Sequence, residues 1–275
     1  MSAFKYKQNL HTHTVYCDGK NTPEEMILKA IDLGFDTIGF SGHSYTGFDI
    51  SWHMTQENTQ NYIAEVNALK SKYADTINVL CGLELEVFSK HSLSDFDYVI
   101  GSSHFLNVDG EIVEFDVDAD TVSHIIDEYF HGDGMKYAKS YYSNMAELYK
   151  FADFDIVGHF DIITKHAETH NFFDVNSAEY RNVALEALHS LAEKKKIFEV
   201  NTGAISRGYR TSPYPAEFIL DGMKELGCTL VLTSDCHDCN YLDCFYDDAI
   251  ELIKSRGFDS IGVMKDGNIE EIKIN

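Results

Sequence analysis

Basic residues are scarce in this chain. Its 275 residues include 45 Asp and Glu but only 22 Lys and Arg, which gives a formal net charge of −23 with neutral histidines. So acidic a surface repels the phosphates of nucleic acids overall. We therefore expect no nucleic-acid partner.

Proline and long apolar runs are also scarce. The chain has three prolines and no Gly/Ser-rich linker or internal repeat, so we expect residues 1–275 to form a single domain. No apolar run reaches the ~18 residues of a membrane span, which predicts no membrane partner. No feature of the sequence predicts an oligomeric state.

The N-terminal segment lacks an apolar leader. Met1 to Gln8 are polar, and the six cysteines are scattered through the chain. Both features predict a cytoplasmic protein with reduced thiols. Cys236 and Cys239 form a C-x-x-C with no second pair after it, which is a weak indication of a zinc or redox site.

The chain does contain histidines in positions where they can bind a metal ion. His11 and His13 follow a predicted strand, Lys5 to Leu10. Residues at i and i+2 lie on one face of a strand, so both imidazoles emerge together where the strand ends. Two neutral imidazoles side by side form half a site for a divalent metal ion.

Further segments that read as strands also end on metal-binding residue types. These endings are Ser41-Gly42-His43, Gly82-Leu83-Glu84, Ser103-His104, Gly158-His159 and Asp235-Cys236-His237. A single buried histidine is usually only a hydrogen-bonded core residue. Six consecutive strand ends of this kind instead favour one shared centre. Strand–helix alternation repeated seven times predicts an α/β fold with a parallel barrel, whose active site lies at the carboxyl ends of the strands.

The candidate metal ligands number nine. They are His11, His13, Asp18, His43, Glu84, His104, His159, Asp235 and His237. One ion takes about four ligands, so this set, with one bridging carboxylate, suits two or three divalent ions. Zinc is the first choice, with Fe²⁺ or Mn²⁺ as alternatives. Such ions neutralise the oxygens of a phosphate ester, acidify a bridging water and stabilise the leaving alkoxide.

The order of the motifs carries a family resemblance. From His11 to His237 the chain contains H-T-H-T, S-G-H-S, G-L-E, G-S-S-H-F, G-H-F-D, N-T-G and S-D-C-H. It thereby resembles the polymerase-and-histidinol-phosphatase (PHP) superfamily and, within it, the stand-alone histidinol-phosphatases. The resemblance implies a distorted, TIM-like (β/α)7 barrel with a trinuclear centre. The chain would then be a single PHP phosphoesterase domain with an insert at about residues 105–133.

The resemblance also implies how the ligands are shared. His11, His13, Glu84 and Asp235 would hold the first ion, and Glu84 would bridge to a second ion held by His104 and His159, while Asp18, His43 and His237 would hold the third. Glu86 shares a strand face with Glu84. The family pattern G-[LI]-E selects Glu84, which leaves Glu86 either behind the ligands or facing solvent.

Positions at or just after the ends of the predicted strands also indicate which residues bind or transform the substrate. Arg207 and Arg210 come just after the sixth strand, and arginine suits bidentate phosphate binding; a surface ion pair is the alternative for both. With His43 and Ser103 they form the expected substrate-binding set. His43, Asp235 and Arg207 are the catalytic candidates. The aromatic loop Tyr45 to His53 is either core lining or a lid, and acidic residues of the insert such as Glu114 either attract a cationic amine or face water.

The resemblance implies hydrolysis of L-histidinol phosphate to L-histidinol and phosphate, a step of histidine biosynthesis. Its partner would be a small phosphate ester. The first alternative is a PHP phosphodiesterase or exonuclease, or a phosphatase acting on nucleotides or another small ester. The acidic charge and the lack of a nucleic-acid-binding module argue against the nucleic-acid reading. An amidohydrolase also opens with His-x-His, but the Glu84 position fits PHP better, and a non-catalytic metal-binding domain would have lost some of the nine ligands.

Overall fold

Seven parallel strands frame the molecule. The computed structural model describes residues 6–48, 52–89 and 92–274, so the predicted start of the first strand at Lys5 lies outside the described residues. The described strands are β1 (Gln8–Asn9), β2 (Thr37–Phe40), β3 (Asn78–Glu86), β4 (Tyr98–Ser102), β5 (Phe105–Val108), β6 (Glu111–Glu114), β7 (Ile156–Val157), β8 (Ile197–Asn201), β9 (Thr229–Thr233), β10 (Ser260–Lys265) and β11 (Asn268–Lys273). The main sheet runs in the order β1-β2-β3-β4-β7-β8-β9, and every neighbouring pair in it is parallel.

This sheet closes nearly completely into a barrel. Beyond the carboxyl ends of β1 and β9, the His13 amide donates to the Cys236 carbonyl at 2.8 Å, and the Cys236 amide donates to the His11 carbonyl at 3.1 Å. Further down, the hairpin β10–β11 lies against β9, and the Gln8 side chain bonds the backbone of β10. The expected (β/α) barrel of seven parallel strands is confirmed, and its closure lies at the end where the candidate ligands gather.

Helices cover the outside of the barrel. They are α1 (Pro23–Asp32), α2 (Gln56–Lys72), α3 (Ala119–Phe130), α4 (Gly134–Ala146), α5 (Ala178–Ala192), α6 (Gly203–Ser206), α7 (Glu217–Glu225) and α8 (Tyr246–Ser255). The larger hydrophobic core includes their buried faces. α1 begins at a capping box: the Thr22 hydroxyl accepts from the Glu25 amide at 3.3 Å, and the Glu25 carboxylate accepts from the Thr22 amide at 2.9 Å.

A smaller core, centred on Tyr98, fills the barrel interior. The Tyr98 hydroxyl donates to the carbonyls of Leu10 and Phe40, which ties β4 to β1 and β2. The ring fits only because β3 has glycine opposite it: a Cβ at Gly82 would lie 2.3 Å from Tyr98 Cζ. Gly82 and Glu84 lie two residues apart on β3 and so share its inner face. The filled interior therefore lies below Glu84 and supports it.

The predicted insert has more structure than the sequence suggested. Its helix is α3. Before it, β5 and β6 form an antiparallel hairpin, which was not predicted. The turn is Asp109-Gly110, both with positive φ (52° and 94°), as a two-residue hairpin turn requires. The end of β6 and the segment after it carry Glu114 and Asp116 to the rim of the barrel.

Two further observations concern cysteines and helices. All six cysteines are free, so the C-x-x-C at Cys236 and Cys239 forms no disulfide. Within residues 6–48, 52–89 and 92–274, no helix combines the length and hydrophobicity needed to span a membrane.

Candidate metal centre

The nine candidate ligands converge at the carboxyl end of the barrel. The parallel strands run in one direction, so residues directly after them meet at one edge. Seven of the nine are buried, while Asp18 and His237 lie at the rim with side chains 32% and 18% exposed. The structure therefore brings together all nine side chains that the sequence singled out.

Glu84 lies at the middle of the cluster. Its Oε1 faces His159 Nε2 at 2.9 Å and His104 Nε2 at 3.4 Å. Its Oε2 faces three further imidazole nitrogens: His43 Nδ1 at 2.8 Å, His11 Nε2 at 3.3 Å and His13 Nε2 at 3.5 Å. One carboxylate thus contacts five histidines, with its two oxygens directed to different groups. This is the geometry expected of a bridging ligand.

A second group of donors lies towards the rim. Asp18 Oδ2 is 3.1 Å from His237 Nε2, and Asp18 Oδ1 is 3.6 Å from His43 Nε2. Asp235 Oδ1 lies between the two groups, 3.2 Å from His13 Nε2 and 3.6 Å from His237 Nδ1. The donor atoms of His13, Asp18, His43 and His237 all lie within 4.8 Å of one another.

Several buried polar atoms of this cluster have no hydrogen-bond partner, which indicates whether the cluster fits metal ions. His11 Nε2, His13 Nε2 and Glu84 Oε2 are buried and have no hydrogen-bond partner. Leaving a buried polar atom unpaired costs about 1–3 kcal/mol, more for a charged group. The three atoms lie within 4.8 Å of one another. Imidazole nitrogen and carboxylate oxygen are the donors that Zn²⁺ takes, so the residues present fit a divalent ion.

The electrostatics of the cluster suit it to cations. Burial alone would raise the pKa of Glu84, but His11, His43 and His104 hold it well below its ordinary value. Burial, together with the neighbouring His237 and His43, lowers the pKa of His13 to about 3. At neutral pH the carboxylate is therefore ionised and the His13 imidazole is neutral, which are the forms that bind metal.

Glu199 is a functional residue that the sequence analysis missed. It is fully buried on β8; its Oε1 accepts from His11 Nδ1 at 2.6 Å, and its Oε2 accepts from the His159 amide at 2.7 Å. With Nδ1 donating to Glu199, the lone pair of His11 Nε2 faces the cluster, as in other carboxylate–histidine–metal arrangements. The available signal was a carboxylate inside the otherwise apolar stretch Ile197 to Val200.

Glu86 hydrogen-bonds another candidate ligand, His104. Its Oε2 accepts from the His104 amide at 2.8 Å and from His104 Nδ1 at 3.0 Å, and the side chain is 1% exposed. The alternative that Glu86 faces solvent is therefore wrong. His104 Nε2 is left to face Glu84 and His159.

A cavity of about 590 Å³ opens above the cluster, and we call it the mouth cavity. His43, His104 and Asp235 form part of its floor. Trp52 forms part of its wall, with its indole 4.5 Å from the His43 ring, and it donates to Glu114 at 2.8 Å. Within the aromatic loop, residues 49–51 lie outside the described residues.

The expected substrate-binding residues divide into two groups. Arg207 and His43 line the mouth cavity. The Arg207 guanidinium donates to Asp235 Oδ2 and to His237 Nδ1, both at 2.9 Å. Lys165, which was not predicted, also lines this cavity, and its ammonium group lies 2.9 Å from Asp116.

Arg210 and Ser103 lie outside the mouth cavity. Gly208, with φ of +75°, turns the chain after Arg207, and Arg210 instead donates to Thr164 and to Ser212 Oγ while its guanidinium lies 4.8 Å from the Tyr214 ring. The Ser103 hydroxyl donates to the Phe105 carbonyl at 3.0 Å and is buried. The structure thus does not bring these two side chains to the expected substrate site.

Comparison with known proteins places this fold and cluster in a family. The model of the PHP domain matches residues 9–203, so the chain belongs to the PHP-domain family. Two relatives bear more specific names. A protein of Deinococcus radiodurans named "Probable histidinol-phosphatase" is 29% identical over 264 residues, covering 90% of this chain and 92% of its own length. The histidinol-phosphatase of Lactococcus lactis is 24% identical over 281 residues, covering 97% of each chain.

Solved structures agree on the fold. The crystal structure of the histidinol phosphate phosphatase of Lactococcus lactis, complexed with zinc, L-histidinol and phosphate, matches with a TM-score of 0.72 and 23% identity, covering 96% of this chain and 98% of that one. A structure from Listeria monocytogenes matches with a TM-score of 0.76 and 22% identity, covering 88% of this chain and 99% of that one. At these identities the likeness shows the barrel fold.

Proposed function

We propose that this protein is a metal-dependent phosphomonoesterase that hydrolyses L-histidinol phosphate to L-histidinol and phosphate. The observation that carries the proposal is a cluster of nine candidate metal ligands, five of which line a cavity that is also lined by Arg207 and Lys165. Curated relatives that the chain matches along most of its length are named histidinol-phosphatases, which supports this substrate.

The ligands would hold two or three divalent ions, zinc foremost. His11, His13, Glu84 and Asp235 would hold the first ion, Glu84, His104 and His159 the second, and Asp18, His43 and His237 the third. When bound, such ions supply Lewis acidity, an activated water and stabilisation of the leaving oxygen. Glu199 and Glu86 orient His11 and His104 for this task.

The remaining roles belong to side chains around the cavity. Arg207 and Lys165 place positive charge beside the ligand cluster, where they hold phosphate oxygens. Burial would raise the pKa of Asp235, but Arg207 and His11 hold it well below its ordinary value. Asp235 is therefore ionised at neutral pH.

The metal content gives one test. We expect two to three divalent ions per chain in gently purified protein, because one ion takes about four ligands and nine candidate ligands are clustered around Glu84. Elemental analysis measures the ions, and phosphate release is measured before and after chelation. Chelation should abolish the activity, and readdition of zinc should restore it. One ion or fewer, with full activity kept after chelation, would contradict the proposed centre.

Substrate preference gives a second test. The acidic charge and the bounded cavity favour a small monoester, so kcat/KM for L-histidinol phosphate should exceed the values for sugar phosphates, nucleotides, a phosphodiester and a single-stranded oligonucleotide. The measurement is phosphate release, or bond cleavage for the diesters, by the zinc-loaded protein. Comparable values for L-histidinol phosphate and the oligonucleotide would favour the nuclease alternative.

Glu114 is the best placed acceptor for the substrate's ammonium group. It lines the cavity, and one of its oxygens accepts from Trp52, whereas Asp116 is already paired with Lys165. Glu114→Gln keeps an acceptor for Trp52 but loses the charge. Since a hydrogen bond to a charged group is worth about 1.5–3 kcal/mol, KM for L-histidinol phosphate should rise ~10-fold or more with kcat little changed.

The matched control for this variant is Glu111→Gln. Glu111 belongs to the same hairpin, but it is exposed and bonded to the Tyr129 hydroxyl. Steady-state kinetics should show no change in KM for the control. An unchanged KM in Glu114→Gln would assign the ammonium contact to another residue.

A further inference from the structure

A second cavity, of about 380 Å³, lies outside the barrel between the first turns of α5 and α7. Its remaining walls come from the segment between Asp161 and Glu168 and from the loop that contains Arg210 and Ser212. The mouth cavity and this outer cavity share no lining residue. None of the functions proposed above uses it.

Two buried charged groups in the outer cavity have unpaired atoms. Asp161 is fully buried; its Oδ2 accepts from the Ala216 amide at 3.0 Å, while its Oδ1 has no partner. The Arg210 side chain is 8% exposed; its terminal nitrogens bond Thr164 and Ser212, while its Nε has no hydrogen-bond partner and forms an ion pair with Glu168 Oε1 at 4.0 Å. The two groups do not pair with each other, because each is already held by other atoms.

Unpaired buried atoms that face a shared cavity favour a ligand there. In the described part of the chain, the same signal occurs at His11, His13 and Glu84, where the metal ions are proposed, but also at Asn144 and Arg256, which line neither cavity; Asp161 and Arg210 differ from those two because both line the outer cavity. Burying a charged group without its full set of partners destabilises the folded protein, so such groups are retained where something else satisfies them. The carboxylate requires a hydrogen-bond donor, and the guanidinium Nε requires an acceptor.

Further observations indicate that the ligand carries an anionic hydrogen-bond acceptor. The N-cap residue of α7 is Ala216, whose methyl group cannot accept a hydrogen bond from the first amides of the helix. Glu217 and Phe218, in the first turn of α7, line the cavity. The first amides of a helix have no partner within it and attract anions. Arg181, whose guanidinium lies 5.0 Å from the Phe218 ring, also lines the cavity and adds a second positive charge. Together these groups suit a carboxylate.

The Asp161 carboxylate accepts from the donor group of the ligand, and the walls between the two ends of the ligand are partly apolar. Val175, Ala167 and Phe218 line the cavity, which leaves room for an apolar or aromatic side chain. Glu168, which already accepts from the Thr211 amide, adds negative charge and disfavours a ligand that is only an anion. We propose that the outer cavity binds a free α-amino acid as its zwitterion, with the ammonium group on Asp161 and the carboxylate near Arg210 and the start of α7.

Calorimetric titration of the full-length, metal-loaded protein tests this proposal. The probes are L-alanine, L-leucine, L-phenylalanine and L-histidine, and for each of them the amine without the carboxylate and the acid without the amine. At least one amino acid should bind with 1:1 stoichiometry, and its amine and acid analogues should bind ~10-fold more weakly or worse, because each lacks one charged contact. Absence of binding by all probes, or equal binding by the zwitterion and a one-charge analogue, would overturn the proposal.

Variants locate the binding in the outer cavity. Asp161→Asn keeps the shape and an acceptor for Ala216 but removes the acceptor at Oδ1, so affinity should fall ~10-fold or more. Arg181→Gln should also weaken binding. The matched control is Lys139→Gln, on α4, which pairs with Glu179 of α5 and does not line the cavity.

Binding at the mouth cavity is distinguished by Arg207→Ala. This variant should retain the amino-acid affinity of the unmodified protein. Loss of binding in Arg207→Ala, with unchanged binding in Asp161→Asn, would assign the amino acid to the mouth cavity and overturn the proposal. Neither result depends on which phosphate ester the enzyme hydrolyses.

Discussion

Replacement of Glu84 by glutamine should strip the protein of metal and abolish nearly all phosphate release. The Glu84 carboxylate contacts five imidazoles and offers one oxygen to each of two groups of ligands. Glutamine has the same shape, but it is neutral and replaces one oxygen with an amide nitrogen that cannot bind a cation. Removal of a shared ligand should lower metal affinity and activity by more than the ~10–100-fold that is typical when a residue hydrogen-bonded to a ligand is removed.

The matched control is Glu86→Gln. Glu86 lies on the same strand and the same face, is equally buried, and receives the same substitution. Its glutamine can still accept from the His104 amide through the side-chain carbonyl, so the loss should stay near ~10-fold and the metal content near normal. Elemental analysis and kcat/KM measure both variants. A larger loss of metal and kcat/KM in Glu86→Gln than in Glu84→Gln would make Glu86 the bridging ligand and would move the assignment on this strand by two residues.

Features of the fold that depend on neighbours in sequence could be predicted. The capping box at Thr22 and Glu25 needs only four consecutive residues, and the structure contains it. An Asp-Gly dipeptide favours a two-residue hairpin turn, and Asp266-Gly267 joins β10 to β11 with positive φ at both residues (47° and 78°). The same dipeptide at Asp109-Gly110 has the same backbone requirement and joins β5 to β6, a hairpin that was not predicted.

The barrel and the convergence of the candidate ligands could also be predicted, because parallel strands place all their carboxyl ends at one edge. What could not be predicted is which side chain supports which ligand. Glu199 reaches His11 across the barrel, a contact between residues 188 positions apart. Arg210 lies only three residues beyond Arg207, yet the backbone reversal at Gly208 takes it to Thr164. Both outcomes depend on three-dimensional neighbours that a local motif does not contain.

Arg207→Ala should lower kcat/KM by about 10²–10³, because the phosphate oxygens that the metal ions leave uncovered need donors as charge develops in the transition state. That loss corresponds to ~2.7–4 kcal/mol. The guanidinium lines the mouth cavity beside Asp235 and His237, within the ligand cluster. Arg207→Lys should restore activity only in part, since an ammonium group cannot bind two oxygens in parallel.

An arginine that only forms a surface ion pair behaves differently, and Arg256 supplies the comparison. Its side chain is 28% exposed, close to the 32% of Arg207, and it pairs with Glu217 and Asp221. Such a pair contributes about 0–1 kcal/mol to stability and nothing to the rate, so Arg256→Ala should keep a normal kcat/KM. Kinetics, metal analysis and thermal melting of both variants separate the two roles. A near-normal kcat/KM in Arg207→Ala would move phosphate binding to Lys165 or to the metal ions alone.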